Sequence, residues 1–282
     1  MPAAKSSAKI LPIADGLTVP LYHWAPAVNG YLNFGDEIGP MVVAELLRRH
    51  PSKVKVIAPQ PGRAKLLAVG SVVHQARNGD AIWGSGVNGK SWPRNLETHK
   101  RIKVASVRGP LTKDAFDRYG IACPAIYGDP GLLFPSLFRT QLDEEIALIP
   151  EEERGKTFFV PNLNDERWLD RDILGRTSGV HWLSPNQPPL KIAAQIATAE
   201  RVLSSSLHGI VLADALAIPV HPVLSMFEPA FKYADYLLGT GRTPVPFAAS
   251  LLEGLNSPNL PFATFDAQAL EASFPLALLT GR

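Results

Sequence analysis

Four short groups of polar residues in this 282-residue chain have types and spacing that suit chemistry on an anion. Asn33-Phe34-Gly35-Asp36 joins a strand-like run to a helical one. Gly35 permits close backbone approach to a ligand, and Asp36 is either the cap of the helix or a group aimed at that ligand. Arg108-Gly109-Pro110 follows the apolar run Ile102–Val107. At that position Arg108 either grips a carboxylate or phosphate with two donors or lies on the surface beside a helix start. Ser204-Ser205-Ser206-Leu207-His208-Gly209 places three hydroxyls at a strand end and a histidine in the first turn of the next helix. Hydroxyls and free N–H groups there make a phosphate cradle, with His208 as general acid or as a phosphate-binding imidazolium. The bland alternative is a serine cap with a satisfied histidine.

The fourth group, Gly84 to Ser91, matches the phosphate-loop pattern G-x-x-x-x-G-K-S. A strand precedes it, but Trp92-Pro93-Arg94-Asn95 is a poor opening for the helix that must follow, so a Gly-rich turn at a strand end is the better reading. His74 follows another strand and can face the same cleft. His23, His99, His181 and His221 form no set with metal-ligand spacing. There is no G-x-S-x-G elbow, and Cys123 beside Pro124 reads as a small buried residue and not a nucleophile.

The elements that must position these groups alternate between short strands and helices. Strands are expected at Val19–Ala25, Leu66–Gly70, Ala81–Trp83 and Ile102–Val107, with helices at Asp36–His50 and Pro110–Tyr119. Pro40 is expected in the first turn of the helix beginning at Asp36, and Gly120 closes the later one. Ala125–Tyr127 leads into the turn Gly128-Asp129-Pro130. The charged run Glu151–Lys156 interrupts the pattern, which restarts with strands at Thr157–Val160, Val180–Leu183, Arg201–Ser204 and Val220–Leu224. Helices fall at Asp165–Leu174, Pro189–Glu200, Leu207–Leu216 and Phe265–Ser273. Two β/α blocks imply two parallel-sheet domains, 1–145 and 146–240, and a tail, 241–282, that packs back on the first. Ligands of such sheets bind at the carboxyl ends of the strands, where the four groups lie.

Composition narrows the function classes. Hydrophobic residues make up 46% and charged residues 19%, the balance of a globular chain. With 28 basic and 26 acidic residues the net charge is +2, which argues against a nucleic-acid partner. A single cysteine excludes an internal disulfide and a multi-cysteine metal site. No run approaches the ~18 apolar residues of a membrane span, and Pro12, Asp15 and Gly16 break any signal-peptide core, so a cytoplasmic location is expected, with contact at the inner membrane face left open.

The ordered set Asn33-Phe34-Gly35-Asp36, Trp83-Gly84-Ser85-Gly86, Arg108-Gly109-Pro110-Leu111-Thr112, Gly128-Asp129-Pro130, Ser205-Ser206-Leu207-His208-Gly209 and Phe231–Leu237 resembles the polysaccharide pyruvyl transferase family. The chain looks most like members that form pyruvate ketals on bacterial exopolysaccharides. The resemblance implies an α/β, GT-B-like fold: two Rossmann-like parallel-sheet domains facing a central cleft. It implies phosphoenolpyruvate as donor, a sugar or oligosaccharide acceptor that is free or lipid-linked, and no metal or other cofactor. His208, Asp36 and Arg108 are then the expected catalytic residues, with Asp36 as base for the sugar hydroxyl. Asn33, Gly35, His74, Ser85, Ser205, Ser206, Gly209 and Lys232 are the expected substrate-binding residues. Ser206 stands where some members carry arginine, so Lys232 or His74 must supply the missing cation.

Three other readings compete. A GT-B glycosyltransferase would take a nucleotide sugar and needs an acidic residue for the ribose, for which Glu228 is nearest. A phosphate-loop kinase would use Lys90 and Ser91. A non-catalytic sugar- or anion-binding protein would bind the donor without turnover. Homo-oligomerisation is compatible with all of them.

Overall fold

A computed structural model describes residues 17–25, 32–49, 54–90, 92–169 and 179–276. Short runs form two wholly parallel sheets, as expected where helices cover each side. The first has the order β2–β1–β3–β4–β5, built from Leu17–Tyr22 (β1), Val54–Ile57 (β2), Leu66–Leu67 (β3), Ala81–Trp83 (β4) and Lys103–Ser106 (β5). The second has the order β7–β6–β8–β9, from Thr157–Val160 (β6), His181–Trp182 (β7), Arg201–Ser204 (β8) and Val220–Pro222 (β9). The architecture is α/β, with two parallel sheets as expected. β3, β4 and β9 are fully buried, and β2, β5 and β7 are partly exposed. β2 has no counterpart among the expected strands, because four residues around the exposed Lys55 carry little period.

The sheets are joined by a layer of helices. It contains α1 (Phe34–Arg48) and, from the second half, α7 (Pro189–Ala197) and α8 (Leu207–Ala215). Every residue of α8 from Leu207 to Asp214 is buried, so it is a core helix with no polar face. One apolar cluster runs through this layer, from Val19 and Ile38 through Leu132 to Val160, Val202 and Val211, so both sheets share a core. The remaining helices are α2 (Asn95–Thr98), α3 (Pro110–Arg118), α4 (Phe134–Leu137), α5 (Arg139–Ala147), α6 (Leu163–Glu166), α9 (Phe231–Gly239), α10 (Leu251–Asn256) and α11 (Ala267–Ala272).

Two local expectations are corrected. α1 begins at Phe34, whose N–H donates to the Pro185 carbonyl, while the Asn33 carbonyl accepts from Asp36 and Glu37. Asp36 is therefore inside the helix, not its cap, and Pro40 lies in the helix interior, leaving the Asp36 carbonyl without a helical donor. The described part of the helix expected at 165–174 is the single turn α6; residues 170–174 lie outside the described residues, as does Ser91.

The last third of the chain returns to the first sheet. Asp235 on α9 accepts from the backbone N–H and hydroxyl of Thr112 on α3, and pairs with Arg108. The Trp83 indole N–H donates to the Leu270 carbonyl at 3.0 Å, and the Phe274 ring meets the indole edge-on. No helix among the described residues is long and apolar enough to cross a membrane.

Candidate active site

Each sheet reverses its strand order beside its first strand. β1 lies between β2 and β3, and β6 lies between β7 and β8. Chains that leave such neighbouring strands in opposite directions open a crevice at the carboxyl ends. The two crevices face one another across a single pocket of about 320 Å³. Trp24, Asn33 and Asp36 come from the chain after β1, and Gly70, Ser71, Val72 and His74 from that after β3. Asn162, Leu163 and Asn164 follow β6, and Ser206, Leu207 and His208 follow β8. Asn88 and Lys90 after β4, with Glu228 and Lys232 around the start of α9, complete the wall.

The wall is dense in charge. The Asn33 side-chain amide donates to the Asp36 carboxylate. Burial pushes the Asp36 carboxyl up to about 6, and His208, the Asn33 bond and Lys232 pull it back only in part. Glu228 binds Lys232 at 2.8 Å through one oxygen and Lys90 through the other, so one carboxylate ties a lysine of the first half to one of the second. Burial drives Glu228 upward, but the two lysines outweigh it and hold the carboxyl below its usual value. Burial lowers Lys232 despite Glu228, and burial likewise lowers His74. Ser206 occupies the N-cap of α8 with no side-chain capping bond, and the first N–H groups of that helix have no helical acceptor. Among the described residues no group of three His, Cys, Asp or Glu side chains could hold a metal ion.

Residues 33–225, which include most of these strand-end groups, match the model of the family described as polysaccharide pyruvyl transferase. This chain belongs to that family. The succinoglycan biosynthesis protein ExoV of Rhizobium meliloti (strain 1021) is 25% identical over 230 residues, covering 80% of this chain. The match spans 66% of ExoV, just under two thirds of its length. Among solved structures, an uncharacterized protein from Klebsiella pneumoniae subsp. pneumoniae NTUH-K2044 aligns at 14% identity and a TM-score of 0.47, over 84% of this chain and 94% of that one. The wall teichoic acid polymerase TagF aligns at 10% identity and a TM-score of 0.45, over 89% of this chain and 79% of that one.

The expected site residues divide into those that line the cleft and those that build it. Asn33, Asp36, His74, Ser206, His208 and Lys232 line it. Arg108 does not: it is fully buried, and its guanidinium is spent on Asp235, Ser71 Oγ and the Val87 carbonyl. The expectation of a direct anion clamp at Arg108 is corrected to that of a joint between α9 and the first sheet. Ser85 is also buried, donating to the Gly70 carbonyl at 2.8 Å and so shaping the 70–72 turn that lines the cleft. Ser205 donates to Asp165 at 2.7 Å and accepts from Asn162 N–H, which holds the wall after β6 and spends its one O–H inside the protein. Gly35 faces the His208 imidazole, and Gly209 faces Ser204 and Val160; both allow side-chain packing where ligand approach was expected.

The glycine turn after β4 behaves as a turn. Gly84 packs on Pro130 and Gly86 on the Arg108 guanidinium, and only the single helical turn α2 follows. Lys90 nonetheless reaches the cleft, through Glu228. Burial raises the Cys123 thiol to about 12, which leaves no thiolate at neutral pH. Sequence reasoning passed over Asn162 and Asn164, which the strand-end rule applied to β6 would have found. It named the Gly128-Asp129-Pro130 turn but gave Asp129 no role, because its neighbour His208 is distant in the chain.

Proposed function

We propose that the cleft transfers the pyruvyl group of phosphoenolpyruvate to two hydroxyls of one sugar of an exopolysaccharide or its lipid-linked precursor, as a ketal. The observation that carries this is the meeting, in one small pocket, of an acid–base pair, Asp36 and His208, with two lysines held by one carboxylate. Such a pocket suits a three-carbon donor bearing both carboxylate and phosphate. Lys232, Lys90, Ser206 and the N-terminus of α8 bind those anions, and Lys232 replaces the arginine that Ser206 lacks.

Transfer begins with proton delivery from His208 to the methylene carbon of the donor, which leaves the neighbouring carbon oxocarbenium-like. A sugar hydroxyl, relieved of its proton by Asp36, bonds to that carbon. The bond to the phosphate oxygen breaks and phosphate departs with the proton held by Asp36, while the second hydroxyl gives its proton back to His208 and closes the ketal. A carboxyl poised near 6 exchanges protons readily at neutral pH, as this step requires. No metal or organic cofactor enters the scheme.

A nucleotide-sugar glycosyltransferase is the second reading. Against it, Glu228, the acidic residue available for a ribose, is occupied by Lys90 and Lys232. Calorimetric titration with phosphoenolpyruvate, ATP and several nucleotide sugars separates the readings. Binding of phosphoenolpyruvate, weakened by Lys232→Met, supports ketal transfer. Binding of a nucleotide sugar with phosphoenolpyruvate silent overturns it.

A further inference from the structure

His208 sits at the seam between the two halves of the molecule. Its Nε2 lies 3.7 Å from Oδ2 of Asp129, in the Gly128-Asp129-Pro130 turn of the other half. Both atoms are buried, and neither has a hydrogen-bond partner. Two unsatisfied buried atoms at this distance, a carboxylate oxygen and a ring nitrogen able to carry a proton, are costly apart and become a hydrogen bond after a shift of under about 1 Å. Asp129 is not free to turn away. Its other oxygen accepts the Gly131 N–H at 2.8 Å, and the turn is wedged between Gly84 and α8. Asp129 is fully buried, so water does not compete for Oδ2.

From this geometry we propose that Asp129 is the positioning residue of His208. It holds the imidazole with its proton on Nε2, which leaves Nδ1, the ring atom beside Gly35, as the nitrogen that exchanges protons. Asp129 never touches substrate. It acts through tautomer and ring orientation, the role a carboxylate plays behind a histidine acid–base group. The proposal deepens the reading of His208 as the acid–base group. It also assigns work to a turn that lines no part of the pocket: the carboxylate comes from the first half and the histidine from the second, so the acid–base unit is complete only when both are docked.

The substitution Asp129→Asn gives a sharp test. The amide oxygen keeps the Gly131 N–H, which turns the amide NH₂ toward His208 Nε2. Nε2 must then accept, and the proton moves to Nδ1. Nitrogen-15 spectra of histidine-labelled protein, recorded where imidazole is neutral and assigned by loss of signal in His208→Gln, read the tautomer directly. The expected result is Nε2–H in the wild-type protein and Nδ1–H in Asp129→Asn. In parallel, turnover is expected to fall ~10²–10⁴-fold, the range of one acid–base group, with phosphoenolpyruvate affinity changed less than threefold. A wild-type Nδ1–H tautomer overturns the proposal even if the variant fails to fold. An unchanged tautomer in Asp129→Asn, or full turnover despite a switched tautomer, also overturns it. The tautomer readout needs no substrate, so failure of phosphoenolpyruvate as donor is seen separately, in the titration.

Discussion

The imidazole of His208 lies against the backbone of Gly35, so close that a methyl group at position 35 would overlap the ring. The two residues stand on different helices of different halves, and the contact sets where the histidine sits in the cleft. Gly35→Ala tests this. Alanine in a helix is ordinarily favoured over glycine by ~1 kcal/mol, so propensity alone predicts a more stable protein. Here the added methyl displaces the ring. Turnover is expected to drop at least tenfold, with donor affinity less affected, as measured by steady-state kinetics beside calorimetry.

Lys232 and Lys90 share Glu228 but differ in exposure, the Lys232 side chain at 10% and that of Lys90 at 46%. A charged hydrogen bond is worth ~1.5–3 kcal/mol and weakens where water competes. Lys232→Met should raise the dissociation constant for phosphoenolpyruvate by roughly 10–100-fold and Lys90→Met by less than tenfold. Equal losses in titration would place the two lysines on the donor in the same way and count against Lys232 as the substitute for the absent arginine.

Asp36 gives a pH dependence with a defined sign. Its folded-state value of about 6 lies above the ordinary 3.8, so the folded protein holds that proton more tightly than the unfolded chain. The associated stability is complete below 3.8 and is lost as pH rises through 6. Asp36→Asn removes the loss, and its melting temperature should rise relative to wild type between pH 4 and 7. The gain is on the order of 1 kcal/mol, because the carboxylate still meets water in the cleft. If Asp36 is the base, kcat/KM of the wild type rises through pH 6 and that limb is absent in the variant.

Arg108 and Asp235 form an ion pair with no exposure on either side. Removing one partner strands a buried charge, at a cost of about 3–5 kcal/mol. Arg108→Met should lower the denaturant midpoint sharply, and the double variant Arg108→Met/Asp235→Asn should recover part of it, because the amide removes the stranded charge while its oxygen still accepts the Thr112 N–H. Folded Arg108→Met is expected to bind phosphoenolpyruvate within a few-fold of wild type. A selective loss of binding without a loss of stability would return Arg108 to the ligand.

The sequence by itself determined the two parallel sheets, because short apolar strands alternating with helices have few other ways to bury both faces. It also determined that the chemistry lies at strand ends: Asn33, Asp36, Ser206 and His208 each follow a strand, and all four line the cleft. Local pattern could go no further, because a residue's type and its place after a strand do not say which way its side chain turns. Arg108, Ser85 and Ser205 stand at the same kind of position and are spent inside the protein. Their partners, Asp235, Gly70 and Asp165, lie on other elements, and only packing brings them within bonding distance. The same holds for Lys90, which a phosphate-loop pattern singled out and Glu228 delivers to the cleft from the opposite half. Side-chain direction and long-range pairing are set by the shared core between the sheets. The tertiary structure therefore decided which motif residues meet a ligand and which hold the others in place.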